Sequence, residues 1–445
     1  MADGEREPTW QNWARTATAE PVSVMHPSSP SEVAAVVRRA VADGHRIKAI
    51  GSGHSFTSIG VTEGVLIVLD RLNAVLDVDR KTMRVTVGGG ITLRELNPLL
   101  GSLGLALPNL GDIDSQTITG AISTGTHGTG SAMRGIADAV VGVGLVSGDG
   151  RLRHIGPDTP GLLSAARIGL GALGIITSLT LQCVPAFLLH AREEPMRLQE
   201  VFDGLDGLVD DNDHFEFYWF PHTDRTLTKR NNRVADERRR RPVGRLGSLV
   251  TDDLLSNGGF EMVNRLGLRR RDLVPRLNGL SARLLSAREY VDDSHRVFVS
   301  TRRVRFREME YAIPREQVVA TLQEIDRWIT SSGEQVSFPV EVRFSAPDDI
   351  WMSTGYERAN AYIAVHQYHR SDYRNYFAGV EAIFSQVEGR PHWGKMHTLE
   401  AGGLRARYPR FDEFVAVRNW IDPLGTFGND YLDRVLGDRR ASQED

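Results

Sequence analysis

The sequence predicts an α+β chain of two domains, and three observations carry that prediction. Its 445 residues suffice for two or three domains with full cores. The first part alternates short apolar strands with compact helices and is punctuated by glycine clusters. From about residue 190 the texture changes: charged helices interleave with strands, as in an antiparallel sheet covered by helices. The boundary falls just after Pro185. It divides the chain into 10–186 and 187–437, with tails at 1–9 and 438–445 expected to be flexible.

Each element has its own signal. Pro30 and Ser31 start a helix that Gly44 stops, and Val33, Val36, Val37, Ala40 and Val41 share one face. Ile47-Lys48-Ala49-Ile50 reads as a strand, and Val65–Leu69 as a buried one. Val75–Asp79 and Arg84–Val87 alternate and predict a hairpin. Thr92 and Glu95 stand at capping-box spacing, opening a helix that ends near Gly101 to Gly104. Ala139–Val146 and Leu152–Ile155 flank the turn Gly148-Asp149-Gly150. A short helix at Leu162–Arg167 precedes a strand at Ile175–Leu181. Beyond the boundary, strands are predicted at Phe215–Phe220, Ser337–Phe344 and Ala361–Tyr368, and a helix at Glu316–Ile329.

Composition narrows the functional classes. A formal net charge of −4 gives no global field for nucleic acid, and Arg238–Arg241 and Arg269–Arg271 read as solvated surface. The one cysteine, Cys183, permits no intrachain disulfide and no multi-cysteine zinc site; its alternating context predicts a structural thiol. No apolar run is long enough to span a membrane, and Met1–Pro8 lacks the basic and apolar regions of a signal peptide. The expected location is therefore the cytoplasm. His366 with His369, and His392 with His397, lack the spacing of a helical zinc pair, so no metal is expected. There is no Gly-x-Ser-x-Gly elbow. Gly169, Gly171 and Gly174 have dinucleotide spacing but follow a helix and enter a strand, the wrong order for a nicotinamide site.

Candidate chemistry concentrates in four places. The turn Gly51-Ser52-Gly53-His54-Ser55-Phe56 follows a strand, and two glycines in three positions allow positive φ and close approach of a ligand. Successive N–H groups there form an anion nest, whose potential favours a neutral His54, a nucleophile or ligand; a plain surface turn is the alternative. Leu107–Gly130 is rich in small hydroxyl residues and glycine, with Ile118 and Ile122 as apolar anchors. It suits backbone wrapped around a large polar ligand, or a linker. Glu341 and Arg343 would share one face of a strand and hold a polyol or a developing oxyanion, or form a surface ion-pair ladder. His366 and Tyr368 would also share a face, and His392-Trp393-Gly394-Lys395 is dense in reactive groups or a packed turn.

Gly51–Phe56, Thr126-His127-Gly128-Thr129-Gly130, Glu341-Val342-Arg343 and His392–Lys395 resemble, in that order, the motifs of the aldonolactone oxidoreductases. These are FAD enzymes of the vanillyl-alcohol-oxidase type, and the resemblance runs from about Trp10 to Leu436. It includes the ending Asp422–Leu432. It implies a two-subdomain FAD-binding domain followed by a C-terminal α+β substrate or cap domain. His54 matches the histidine bonded to the flavin 8α-methyl. Ala49, Ile50, Gly51, Ser52, Gly53 and Ser55 match the diphosphate turn. Asp112, Thr117, Gly120, Ala121, Ile122 and Ser123 match further cofactor contacts, and Ile175 a backbone contact on the adenine side. Glu341 and Arg343 match the substrate-binding pair over the isoalloxazine, and Lys395 a lysine near substrate and flavin.

The resemblance also places Asp112 and Tyr368 at the substrate: Tyr368 stands where alditol oxidases carry a threonine, and Asp112 where they carry a serine that touches the polyol. Both departures favour a lactone over a polyol. Gly111 matches an alanine that shields the flavin of plant lactone dehydrogenases from oxygen, so glycine implies an oxidase, with a dehydrogenase as the alternative. The implied reaction is hydride transfer from a lactone carbinol to flavin N5, with Glu341, Arg343 and Lys395 as the catalytic set.

Overall fold

Three of the five sheets among the described residues carry the fold, the other two being two-stranded, and the two-residue alternation of their strands decides which side chains reach the site. The computed structural model describes residues 9–235, 240–242, 259–300 and 304–438. Most of both predicted tails, and Arg238 and Arg239, lie outside the described residues.

The first sheet is parallel, in the order Ser23–Met25, Val65–Val68, Ile47–Ile50. Parallel neighbours require a crossover, and the Pro30–Ala42 helix supplies one. Ser29 caps it by accepting from the Glu32 N–H. Its apolar stripe of Val33, Val37 and Ala40 packs on Ile47, Val65 and Ile67. The glycine turn leaves the carboxyl end of the Ile47–Ile50 strand, the end at which open α/β sheets bind ligands.

The second sheet is antiparallel, in the order Leu152–Ile155, Val140–Val146, Ile175–Gln182, Arg84–Gly88, Val75–Asp79. Both predicted hairpins form. The capping box of Thr92 and Glu95 opens the helix Leu93–Ser102. Cys183 is buried, and burial pushes its thiol up to about 11, so it is inert packing at neutral pH.

The third sheet has eight antiparallel strands. Their order is Arg288–Asp293, Leu188–Arg197, Arg225–Val234, His214–Trp219, Val340–Ser345, Asn360–Tyr368, Phe306–Pro314, Arg390–Pro391. The predicted helix starts two residues late, at Val318, after a 3₁₀ turn at Arg315–Gln317. One face of the sheet presents Phe215, Phe217, Trp219, Tyr311, Val342 and Ile363, among others, to the helices Val318–Ser332 and Arg374–Gln386. Alternation then sends Glu216, Tyr218, Glu308, Glu310, Glu341, Arg343, Ala364 and His366 to the opposite face. That face is also buried, beneath the first half of the chain.

Named contacts join the halves. The Gly130 N–H donates to the Phe344 carbonyl at 2.8 Å, and the Thr129 hydroxyl donates to the Phe215 carbonyl. The Phe56 N–H donates to the Gly394 carbonyl at 2.7 Å. The C-terminal segment returns to the first sheet: Phe427 is buried beside Ile47, and the Asn429 amide donates to the carbonyls of Ser58, Ile59 and Val61. Lys48 is buried beneath this seam, donating to the Gly171 and Phe427 carbonyls, and burial pushes its ammonium down to about 7. Among the described residues no helix is long and apolar enough to cross a membrane.

Candidate active site

The glycine turn is built around close contacts. A Cβ on Gly51 would lie 2.2 Å from the Thr117 hydroxyl oxygen, and Gly53 has φ of +68°. The turn forms one wall of a cleft of about 1040 Å³, lined continuously from Lys48 to Ser55. Thr117, Thr119, Gly120, Ser123 and Thr124 line it further, and Leu69, Leu145, Leu173 and Ile176 give it an apolar patch.

Of the predicted cofactor residues, Ala121, Ile122 and Ile175 bury their side chains in the core, which leaves Ile175 the backbone contact expected of it; their neighbours Gly120, Ser123, Gly174 and Ile176 line the cleft. Gly169, Gly171 and Gly174, set aside in sequence as wrongly placed for a nicotinamide site, also line it. Their value here is closeness: a Cβ on Gly174 would meet the Val146 carbonyl oxygen at 2.4 Å.

His54 stands where this cleft meets a second cavity of about 590 Å³, which Asp112, Gly111, Arg343, His392 and Lys395 also line. Its ring stacks on Trp13, with centroids 5.7 Å apart. Its Nε2 is 2.7 Å from the Ser115 hydroxyl oxygen. Burial, with the Lys395 and Arg94 cations adding to it, pushes the imidazole down to about 4. His54 is thus neutral at pH 7, chiefly through desolvation rather than through the nest potential expected from sequence.

A third, small space lies on the sheet face, lined by Asp112, Glu308, Glu310, Glu341, Arg343 and Lys395 with Ala364, and shares Asp112, Arg343 and Lys395 with the second. Ala364 stands opposite both Glu341 and Glu310 in the strand register, and its small side chain leaves room there. Arg343 is the hub. Its guanidinium lies 2.5 Å from Glu341, 2.8 Å from Glu216 and 3.7 Å from Asp112. Burial would raise the Glu216 carboxyl, but Arg343 and Lys229 overcome it and hold it at about 2. Lys395 pairs with Glu308, and its Nζ is 3.9 Å from Glu310. Burial would likewise raise Glu308, yet Lys395 overcomes it and holds it at about 2.

The His392–Lys395 turn is placed by backbone bonds: His392 N–H donates to the Glu310 carbonyl and Met396 N–H to the Glu308 carbonyl, both at 3.0 Å. Asp112, Arg343 and Lys395 thus line both the second and the third space, with Gly111 in the second and Glu341 in the third.

Tyr368 is the exception. Its hydroxyl donates to Glu261 at 2.7 Å, and its ring packs with Phe56, Phe306 and Phe338. His366, two residues earlier, is the side chain of that strand that meets the acids. Glu216, Glu308 and Glu310 were not singled out in sequence. Their signal was alternation: Glu216 lies between buried Phe215 and Phe217, Glu310 between buried Met309 and Tyr311, and Glu308 beside Met309.

His127, Glu310 and His392 bring ligand atoms within 4.8 Å of one another. Hydrogen bonds take up those atoms. His127 bridges the Gly128 carbonyl and Glu310, and His392 Nδ1 accepts from the Gly394 N–H at 3.0 Å, which places the His392 proton on Nε2.

The long cleft fits an FAD. It combines a glycine turn lining it from Lys48 to Ser55, an apolar patch for an aromatic ring system, and a neutral imidazole at its junction with an acid- and base-lined cavity. The comparisons agree. A family description for an FAD binding domain matches residues 21–156, and one for D-arabinono-1,4-lactone oxidase matches residues 179–435. The chain is 44% identical to an L-gulono-1,4-lactone dehydrogenase of Mycobacterium tuberculosis over 97% of its length and 99% of the relative's. It is 33% identical to the L-gulonolactone oxidase of Bos taurus, over 98% of this chain and all of that one. Its fold matches that of cholesterol oxidase from B. sterolicum with a TM-score of 0.83, at 18% identity, covering 96% of each chain. The chain belongs to the D-arabinono-1,4-lactone oxidase family, with an FAD-binding domain preceding the part that defines the family.

Proposed function

We propose that the protein oxidises an aldono-1,4-lactone of the L-gulono or D-arabinono type at a carbinol carbon. The product is a 2-keto lactone, which enolises to an ascorbate-type enediol. The observation that carries this reading is the convergence of Glu341, Arg343 and Lys395 on a cavity continuous with the FAD cleft at His54. Bound FAD supplies the two-electron acceptor. Arg343 and Lys395 present half-buried cations to the oxygen on which negative charge develops, where a lowered dielectric strengthens them. Glu341 orients the substrate hydroxyls. The Tyr218 hydroxyl donates to Glu341 at 3.3 Å and helps fix it.

His54 is the proposed covalent tether of the flavin. Ser115 engages Nε2, which leaves Nδ1 to bond carbon. A cytoplasmic location belongs to the same proposal and rests on the lone, buried Cys183.

The substrate is tested by turnover on a panel. L-gulono-1,4-lactone and D-arabinono-1,4-lactone should be oxidised, and xylitol and sorbitol far more slowly; the reverse order would make the protein an alditol oxidase.

Oxygen is the proposed acceptor. Gly111 lines the cavity, and a Cβ there would lie 3.2 Å from both the His127 carbonyl oxygen and the Thr126 methyl group. Gly111→Ala requires those neighbours to give by a few tenths of an ångström and should narrow the path. Turnover in air should fall while turnover on an artificial dye under nitrogen stays near wild type. An unchanged ratio of the two would remove Gly111 from oxygen access, and wild-type turnover on the dye alone would make the protein a dehydrogenase.

A further inference from the structure

Carbinol oxidation releases a proton as well as a hydride, and the roles above leave that proton without a destination. Glu308 and His366 face each other in the register of the Phe306–Pro314 and Asn360–Tyr368 strands. His366 is 3% exposed. Its Nδ1 lies 3.1 Å from the Pro339 carbonyl oxygen; a carbonyl only accepts, so Nδ1 carries a hydrogen. Its Nε2 is buried with no hydrogen-bond partner. That nitrogen faces the gap between two carboxylates, 3.5 Å from Glu308 Oε1 and 4.0 Å from Glu341 Oε2. The rings of Phe306 and Phe338 lie beside it.

The two carboxylates are arranged alike. Glu308 gives Oε2 to Lys395 and turns Oε1 to His366, and Glu341 gives Oε1 to Arg343 and turns Oε2 to His366. Lys395 clamped on one oxygen makes Glu308 a weak base, so a proton that reaches it is poorly held there. An imidazolium formed at His366 would have two carboxylates to neutralise it.

We propose that His366 stores the substrate's hydroxyl proton, as a positioning residue acting through Glu308. The inference rests on the lactone-oxidising reading above. The carbinol O–H bond breaks as Glu308, which lines the cavity, accepts the proton; a proton leaves Glu308 Oε1 for His366 Nε2, forming an N–H bond. The carbinol carbon loses its C–H electron pair with the hydride, which goes to the flavin, and a C=O bond forms. The substrate is oxidised by two electrons and the charges balance. The groups facing His366 are Glu308 with Lys395 behind it, Glu341 with Arg343 behind it, and the Pro339 carbonyl.

The test is the anaerobic rate of flavin reduction by L-gulono-1,4-lactone between about pH 5 and 9, in wild type, His366→Asn and His366→Gln. Asparagine keeps a donor for the Pro339 carbonyl, and glutamine keeps the reach toward the acids. The wild-type rate should fall on the acid side along a one-proton limb. Both variants should be slower by about a hundredfold and lose that limb. In oxidised holoenzyme labelled with ¹⁵N-histidine, the His366 signal, assigned through its backbone, should show Nε2 gaining a proton over the same pH span while Nδ1 stays protonated. A limb that persists in both variants, or an Nε2 that does not titrate there, overturns the role of His366 alone. Wild-type flavin reduced by no lactone overturns it together with the reading on which it rests.

Discussion

Arg343→Leu is expected to cut the rate of flavin reduction by lactone by about 10²–10³-fold, the usual cost of removing one donor to a developing oxyanion. It should also lower stability by roughly 3–5 kcal/mol, because the change leaves charged partners buried and uncompensated. Those partners are Glu341, Glu216 and Asp112. The stability effect has a pH signature. In wild type the Glu216 carboxyl is held at about 2, so its contribution is present above its unfolded value near 4.5 and is lost as pH falls toward 2. Without Arg343 only Lys229, 3.3 Å away, still opposes burial, so that carboxyl rises and less of its contribution survives at neutral pH. The gap between wild type and variant should therefore widen from acid to neutral pH, read as the difference in urea midpoint. Arg343→Lys keeps a charge without the fork and should fall between the two. An Arg343→Leu enzyme reduced at the wild-type rate would remove the residue from the chemistry.

His54→Ala is expected to release all of the flavin on acid precipitation, whereas the wild-type pellet stays yellow. The same contrast should appear as flavin fluorescence on a denaturing gel, present only in wild type. The alanine variant should still fold. Trp13 and Ser115 lose a ring contact and a hydrogen bond, but the sheets and their cores are untouched. A colourless wild-type pellet would leave FAD binding in place and remove the tether.

The parts legible in sequence were those written in local chemistry. The capping box at Thr92 and Glu95, the hairpin at Val75–Gly88 and the glycine turn all act within a few residues, so their patterns predict their structures. Five of the eight strands of the large sheet escaped notice for a physical reason. In Phe306–Pro314 and Leu188–Arg197, charged residues alternate with apolar ones, a pattern that reads as a half-exposed surface. Here Glu308 and Glu310 are instead buried beneath the other half of the chain, a long-range fact that no local window holds. Resemblance supplied Glu341, Arg343 and Lys395 but placed Tyr368 at the substrate. Register corrects this: Ala364 lies opposite Glu341, His366 opposite Glu308, and Tyr368 falls beyond, against Phe306 and Glu261.

One single-turnover experiment bears most directly on the central claim. Oxidised enzyme is mixed under nitrogen with L-gulono-1,4-lactone, and the flavin absorbance and the organic product are followed together. Loss of the flavin band with one equivalent of an ascorbate-type enediol per flavin is the predicted result. A flavin that stays oxidised with every lactone offered, or one that bleaches without yielding that product, would contradict it.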